Sequence, residues 1–394
     1  MPDSAKKYSW FCYGISFLLF AAFLLWGLSG VLAGGGLGFR IFGFYGIIPG
    51  ILGISGLILG LKNAPAKWLY PVLAALAAQA IYWILFRHRF SIIPANIYFI
   101  IAFPSALFGV SAGLFIDDMK AKYKARLKMI AKFGAVIGFI VALIHTVHAF
   151  TLDRVIEYVE ISFQSPKITP ELDGYQIAFI TDTHRISEQR LQGVVDELNQ
   201  RAPDLVVLGG DFSTIISEMQ RTVEILSHIE AVDGIFGVEG NHDSYRHLFA
   251  AMRAHGMTPL PNSGVHIREN FFLAGVEDLW NRNPNISEAL ADSQAEDFVL
   301  LISHNPDVTM SQDTTGADLV LSGHTHGGQI SFFGIWAPYF TFDGGSITGY
   351  GQRFRAGWAE SRDGVPVFVS QGTGEYLPRV FARPQVILIT LVQE

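Results

Sequence analysis

Ala317-Asp318-Leu319-Val320-Leu321-Ser322-Gly323-His324-Thr325-His326-Gly327-Gly328-Gln329 joins a short apolar run to a glycine-rich turn that opens with two histidines. The run reads as a buried strand, and the glycines permit the sharp turn that ends it. Both histidines therefore fall on a strand-end loop, a common seat for catalytic groups. In an extended His-x-His pair the side chains leave the same face, so neighbouring imidazoles can address one metal ion or two adjacent ones. A solvated histidine pair in a turn has the same sequence, and the surrounding chain decides between them.

The same design recurs upstream. An apolar strand, Gln176 to Thr181, ends in Asp182-Thr183-His184, and a helical pattern follows over Ser187 to Asn199. A second strand, Leu205 to Leu208, ends in Gly209-Gly210-Asp211, and a helix over Thr214 to Ile229 leads to Ile235 to Val238 and Gly240-Asn241-His242-Asp243. Helix returns at Tyr245 to His255. The chain then turns β-rich, with strands at Val265 to Ile267, Phe271 to Ala274 and Phe298 to Ile302, the last ending in Ser303-His304-Asn305. After the histidine pair come strands at Val365 to Ser370 and Gln385 to Leu391. Alternating strand, polar loop and helix marks an α/β domain, and open sheets bind ligands at the carboxyl edge of their strands.

In chain order the candidate metal ligands are Asp182, His184, Asp211, Asn241, His304, His324 and His326. Imidazole and carboxylate without thiolate suit Mn, Fe or Zn. Seven donors exceed what one tetrahedral ion takes and fit two ions sharing a carboxylate. Such a pair, about 3.5 to 4 Å apart, clamps the attacking and leaving oxygens in phosphoryl chemistry. Singly, each residue has a plain alternative: Asp182 and Asp211 as helix caps, Asn241 as a turn former, His304 as a core histidine.

As a set, these blocks resemble the calcineurin-like metallophosphoesterase superfamily, whose signature runs D-x-H, G-D, G-N-H-D/E, a lone H and G-H-x-H. The chain supplies Asp182-Thr183-His184, Gly210-Asp211, Gly240-Asn241-His242-Asp243, His304 and Gly323-His324-Thr325-His326, and the likeness covers roughly residues 172 to 394. What it implies is a two-sheet β-sandwich flanked by helices. Asp182, His184 and His326 would hold one divalent ion, Asn241, His304 and His324 a second, and Asp211 would bridge them. A metal-bound hydroxide would attack phosphorus in line. His242 would be the general acid for the leaving oxygen, with Asp243 orienting it. Gly327, Gly328 and Gln329 resemble the branch that includes membrane-anchored bacterial phosphoesterases, some acting on lipid-linked phosphates. An aromatic stretch follows over Ile330 to Asp343, with Phe332, Phe333, Trp336, Tyr339, Phe340 and Phe342. It reads either as sheet and core packing or as an apolar lip toward the bilayer. Arg353, Arg355 and Arg379 are candidates for a second phosphate contact.

The first 150 residues have another texture. They hold 13 Lys and Arg against 3 Asp and Glu, a net of +10, in a chain whose whole charge is −7. Residues 151 to 394 therefore carry −17, which argues against nucleic acid as a substrate, since that affinity rests on Lys and Arg neutralising phosphates. A hydrophobic share of 50% and mean hydropathy of +0.33 are too high for an ordinary soluble enzyme. Five apolar runs are long enough to cross a bilayer, which takes roughly 20 residues of helix: Trp10 to Ala33, Ile41 to Leu61, Trp68 to Phe86, Ile92 to Ile116 and Met129 to Phe150. With a cytoplasmic N-terminus, Lys6, Lys7, Lys62, Lys67, Lys120, Lys122, Lys124, Arg126 and Lys128 face the cytoplasm and Arg40, Arg87 and Arg89 face away, as the positive-inside rule requires. An odd number of spans then places the chain after Phe150 outside the cytoplasm. Gly46-x-x-x-Gly50 and Gly56-x-x-x-Gly60 allow close helix approach. His145 and His148 fall at the outer interface. Lys132 can snorkel, and the first four runs lack deep charges, which counts against an ion pump. The single cysteine, Cys12, excludes a disulfide framework.

Together these readings predict an all-α transmembrane module of about five helices over 1–150, a linker over 151–171 with a possible strand at Val159 to Phe163, and an α/β metallophosphoesterase domain over 172–394. The function expected is a membrane-anchored, dinuclear-metal phosphohydrolase of a bacterial inner or cell membrane, with its catalytic domain outside the cytoplasm. It would cleave a phosphodiester or pyrophosphate bond in a phosphate-ester substrate, with a lipid-linked substrate as the version motivated by the tether and the aromatic stretch. Its partners would be that substrate and the lipid bilayer, with no nucleic acid. Two alternatives stay open: a phosphomonoesterase, which uses the same clamp, and a membrane receptor that binds metal or phosphate without hydrolysis.

Overall fold

The computed structural model describes residues 52–65, 67–86, 95–118, 121–184, 186–337, 347–374 and 379–394. Contacts divide the chain into Met1–Val147 and His148–Glu394. The first unit shows helices α1 (Leu52–Leu61), α2 (Tyr70–Phe86), α3 (Ala95–Asp118) and α4 (Ala121–Phe150), the last turn of α4 belonging to the second unit. α1 and α3 meet backbone to backbone. A side-chain carbon at Gly60 would stand 2.9 Å from Gly113 Cα, and one at Gly113 would stand 2.9 Å from Gly60 Cα. Gly56-x-x-x-Gly60 thus finds its counterpart in Gly109-x-x-x-Gly113, as small-residue helix packing expects.

The expected span Trp10 to Ala33 lies outside the described residues, as do Gly46-x-x-x-Gly50, most of Ile41 to Leu61 and the start of Ile92 to Ile116. Among the described residues one helix is long and apolar enough to cross a membrane, Lys132–Arg154, with a mean hydropathy of 2.0. Within the described residues α2 runs 17 residues, at the lower edge of what a crossing takes. The expectation of about five spans therefore comes down to one candidate among the described residues. His145 donates from Nδ1 to the Val141 carbonyl one turn back, at 2.8 Å.

Two six-stranded mixed sheets make the second unit. The first runs β1 (Glu157–Ser165), β12 (Gln385–Gln393), β2 (Gln176–Ile180), β3 (Leu205–Leu208), β4 (Ile235–Gly237) and β5 (Thr258–Pro259). From β2 to β5 it is parallel, the geometry that the intervening helices α5 (Glu188–Arg201), α6 (Ile216–Leu226) and α7 (Tyr245–Ala254) demand. The second sheet runs β10 (Gly357–Glu360), β11 (Pro366–Val369), β9 (Leu319–Ser322), β8 (Phe298–Ile302), β7 (Phe271–Gly275) and β6 (Ser263–Arg268), parallel through its middle. Two short helices, α8 (Ile286–Ala289) and α9 (Val308–Ser311), accompany it.

Each central strand is buried on both faces, and side chains alternate between two cores. Ile177 and Phe179 of β2 enter the layer between the sheets with Leu205, Val207, Phe298, Leu300 and Leu319, while Ala178 and Ile180 face the helices with Leu191, Val195 and Leu248. Residues 151–171, read as a linker, supply β1, which pairs in parallel with the final strand from Glu157↔Gln385 to Ser165↔Gln393. β5 and β10 were not anticipated.

Candidate metal centre

The carboxyl ends of β2, β3, β8 and β9, together with the loop after β4, converge on one site. Five of the seven expected ligands hold left-handed backbone without being glycine: Asp182 (φ 54°), His184 (φ 40°), Asp211 (φ 58°), His324 (φ 69°) and His326 (φ 50°). Each such residue costs about 1 kcal/mol or more and persists only where the surroundings over-determine it. Here the loops hold one another. Asp182 N–H donates to the Gly210 carbonyl at 2.8 Å and His184 N–H to that of Asp211 at 3.1 Å. His324 N–H donates to the Asp182 carboxylate at 3.0 Å, and His242 N–H to Asp211 Oδ1 at 2.8 Å. The glycines leave no room for substitution: a side-chain carbon at Gly240 would collide with the Asp211 carboxylate, and one at Gly323 with that of Asp182.

Two donor groups result, Asp182, His184 and His326 in one, and Asp211, His304 and His324 in the other, each with ligand atoms within 4.8 Å of one another. In the first, His184 Nε2 lies 3.1 Å from His326 Nε2, and Asp182 Oδ1 stands 3.5 Å from His326 Nε2 and 3.8 Å from His184 Nε2. Bonds of about 2.1 Å to a common ion place neighbouring donors about 3.0 to 3.4 Å apart. In the second group, His304 Nε2 lies 3.3 Å from Asp211 Oδ2 and 3.2 Å from Asn241 Oδ1. The same Asp211 Oδ2 is 3.4 Å from His184 Nε2, so one carboxylate oxygen touches both groups. His324 and His326, two residues apart, serve different groups.

The outer contacts also suit a metal. His304 donates from Nδ1 to the Gly209 carbonyl at 2.8 Å, which turns Nε2 toward Asp211, and His324 donates from Nε2 to the Ile347 carbonyl at 3.0 Å, which leaves Nδ1 for the site. Burial raises the Asp182 carboxyl to about 6, against the opposing His304 charge. Burial likewise lowers the imidazoles of His184 to about 4 and His324 to about 3, and takes that of His326 well below its usual range. For His304 burial is outweighed by the Asp211 charge, which lifts it to about 10, and His304 in turn outweighs burial at Asp211 and holds it well below the usual carboxylate range. His304 and Asp211 thus favour positive charge between them, the kind of charge a divalent cation would supply, and metal binding displaces protons from such donors.

Asp243 has another task than orienting His242. Its Oδ2 accepts the N–H groups of Asp211 at 2.7 Å and Gly240 at 3.0 Å, and its Oδ1 those of Phe212 at 2.8 Å and Ser213 at 3.3 Å. The carboxylate moulds the loop that carries Asp211. His242 itself is exposed, its ring 5.3 Å from that of His184. Arg379 is fully buried and donates to the carbonyls of Gly374, Gln371 and Ala382, with Nη2 3.4 Å from His326 Nδ1, so it backs the first donor group and does not face outward. Arg353 donates to the Glu360 and Ser361 carbonyls. Arg355 makes no side-chain hydrogen bond among the described residues. In the aromatic stretch Phe332 and Ile335 are exposed, and Tyr339, Phe340 and Phe342 lie outside the described residues.

Three residues without a sequence signature complete the rim. Buried Asp278 accepts the N–H groups of Trp280 and Asn281 on Oδ2, Asn281 donates its side-chain amide to the Asn241 carbonyl, and the Trp280 ring meets the His324 ring at 4.5 Å. Nothing in their spacing announces them.

Residues 175–328, which hold all seven donors, match the family described as calcineurin-like phosphoesterase. This unit carries a calcineurin-like phosphoesterase domain. The chain is 33% identical over 174 residues to the Bacillus subtilis protein YpbG, covering 41% of this chain and 65% of YpbG. It is 27% identical over 264 residues to a Danio rerio "transmembrane protein with metallophosphoesterase domain", covering 60% of this chain and 57% of that protein. With the Escherichia coli phosphodiesterase YaeI it shares 27% identity over 240 residues, 55% of this chain and 82% of YaeI. The chain thus spans less than two thirds of the length of the first two relatives. The calcineurin-like phosphoesterase match stops short of β10 to β12, so the final strand and buried Arg379 are built from chain beyond it.

Proposed function

We propose that this chain is a membrane-anchored phosphohydrolase that uses two divalent ions to cleave a phosphodiester or pyrophosphate bond. The observation that carries the reading is the Asp211 oxygen shared between two three-donor groups. When bound, a pair of divalent ions acidifies water and neutralises charge developing on phosphoryl oxygens. Asp182, His184 and His326 would hold one ion, and Asn241, His304 and His324 the other, across Asp211. His242, exposed beside His184, protonates the departing oxygen. Asp243 fixes the Asp211 loop from behind. Membrane attachment is supported by Lys132–Arg154, of which the apolar window is only 6% buried, and by its exposed Phe133, Ile137, Phe139, Ile140 and Leu143, a broad apolar face of the kind that water disfavours. The further helices and a lipid-linked substrate belong to the same reading, the latter supported by exposed Phe332 and Ile335.

The test is hydrolysis of bis(p-nitrophenyl) phosphate by the full chain in detergent micelles with added manganese, beside Asp211→Asn. Turnover should disappear on chelation. The variant should lose more than the 10- to 100-fold typical of an outer contact to a metal site, together with part of its bound metal. Full activity in Asp211→Asn, or none in a wild type holding two ions, would overturn the proposal.

A further inference from the structure

We infer that Trp280 is a specificity-determining residue, an aromatic wall that receives a flat aromatic substituent on the non-leaving oxygen of the phosphoester. The inference rests on the phosphoesterase reading and extends it to the substrate class. Trp280 is 48% exposed although it sits against the metal centre, its indole at 89° to the His324 ring with centroids 4.5 Å apart. A tryptophan left this open against a candidate ligand leaves aromatic surface within reach of whatever the second donor group holds.

The backbone that carries the indole is also held in place. Asp278, 1% exposed, accepts the N–H of Trp280 at 3.0 Å and that of Asn281 at 2.7 Å on the same oxygen, and Asn281 ties the loop to the carbonyl of Asn241. The segment that presents the indole is therefore the segment that backs a ligand, and a substituent stacked there is registered against the phosphorus. A loosely attached surface tryptophan would not have this effect.

The position selects which substituent is read. His242 stands against His184 of the first donor group and Trp280 against His324 of the second, so the leaving oxygen and the aromatic contact fall to different groups. Trp280 then reads the group that stays on phosphorus. A nucleobase and an aryl group share this chemistry, whereas an alkyl chain gains burial from an indole but no ring pairing.

The experiment holds the leaving group constant. Metal-loaded full chain in detergent micelles is assayed with phenyl, ethyl and hexyl esters of p-nitrophenyl phosphate, in wild type, Trp280→Ala and Trp280→Phe, with metal content measured for each. Wild type should favour phenyl over ethyl and hexyl in KM. Trp280→Ala should erase that preference by about fivefold, the size of one aromatic pair, with the change in KM and not in kcat, and Trp280→Phe should restore part of it. An unchanged phenyl-to-ethyl KM ratio in Trp280→Ala with metal retained would overturn the inference. So would a Trp280-dependent preference for hexyl. Should wild type hydrolyse none of the esters, the phosphodiesterase reading would fall. The inference is then decided by binding of phenylphosphonate against methylphosphonate to the metal-loaded protein, where equal affinity, or a preference that survives Trp280→Ala, overturns it.

Discussion

At the scale of single residues the site's acidic groups divide into candidate metal donors, Asp182 and Asp211, and a shaper of backbone. Asp243 belongs to the second kind, because four N–H groups from Gly240, Asp211, Phe212 and Ser213 converge on its carboxylate. Replacing it strands those donors. We expect Asp243→Ala to lower unfolding stability by about 2 to 4 kcal/mol, read as a shift in denaturant midpoint, and to weaken metal retention through the Asp211 loop. Stability equal to wild type would show that the loop is held by other means. His242 makes a contrasting case. Its exposed ring contributes little packing, so His242→Ala should fold and bind metal normally. A general acid matters most when the leaving group is a poor one. The variant should therefore lose about 10²- to 10⁴-fold in rate on an alkyl leaving group and much less on p-nitrophenol. Equal losses on both would remove His242 from proton transfer.

At the scale of elements, what could be read from sequence was what local pattern records. Apolar runs ending in Asp, Asn and His gave β2, β3, β4, β8 and β9 almost to the residue, and because a parallel strand's carboxyl end is a fixed place, all seven donors fell at one edge. β1 is legible only as a possible strand over Val159 to Phe163 within a mixed-charge segment, and its pairing with β12, more than 220 residues away, leaves no local signal. β5 has two residues, and β10 opens with a glycine, so neither has a period to detect. Side chains acting through backbone, such as Asp278, Asn281 and Arg379, carry no spacing signal either, because their partners are amides and carbonyls that every residue offers. The β1 pairing makes a prediction of its own. A fragment of residues 172–394 exposes the whole edge of β12, an invitation to self-association, whereas 148–394 keeps it covered. Light scattering should find the longer fragment monodisperse and the shorter one aggregated. Equal behaviour would mean that β1 is dispensable.

At the scale of the whole molecule the charge asymmetry makes the sharpest statement, +10 over residues 1 to 150 against −17 beyond. Short basic segments beside membrane helices are retained on the cytoplasmic side, so Lys6, Lys7, Lys62, Lys67, Lys120, Lys122, Lys124, Arg126 and Lys128, set against Arg40, Arg87 and Arg89, should hold the N-terminus there. An odd number of crossings before His148, as the sequence leads one to expect, would put the metal centre outside. Cys12 is the only cysteine, so Cys12→Ser gives a blank background, and Val232 offers a reporter at 83% exposure in the loop between α6 and β4. Val232→Cys in that background should react with a membrane-impermeant maleimide on intact cells, and Ser4→Cys only after permeabilisation. The two reporters together decide the parity of the crossings, because each additional helix exchanges the side of one relative to the other. If both label from outside, or both only after lysis, the number of spans is even, and the phosphoesterase domain then shares a compartment with the basic N-terminus. If Val232→Cys alone is labelled, the substrate must be presented on the outer side of the membrane.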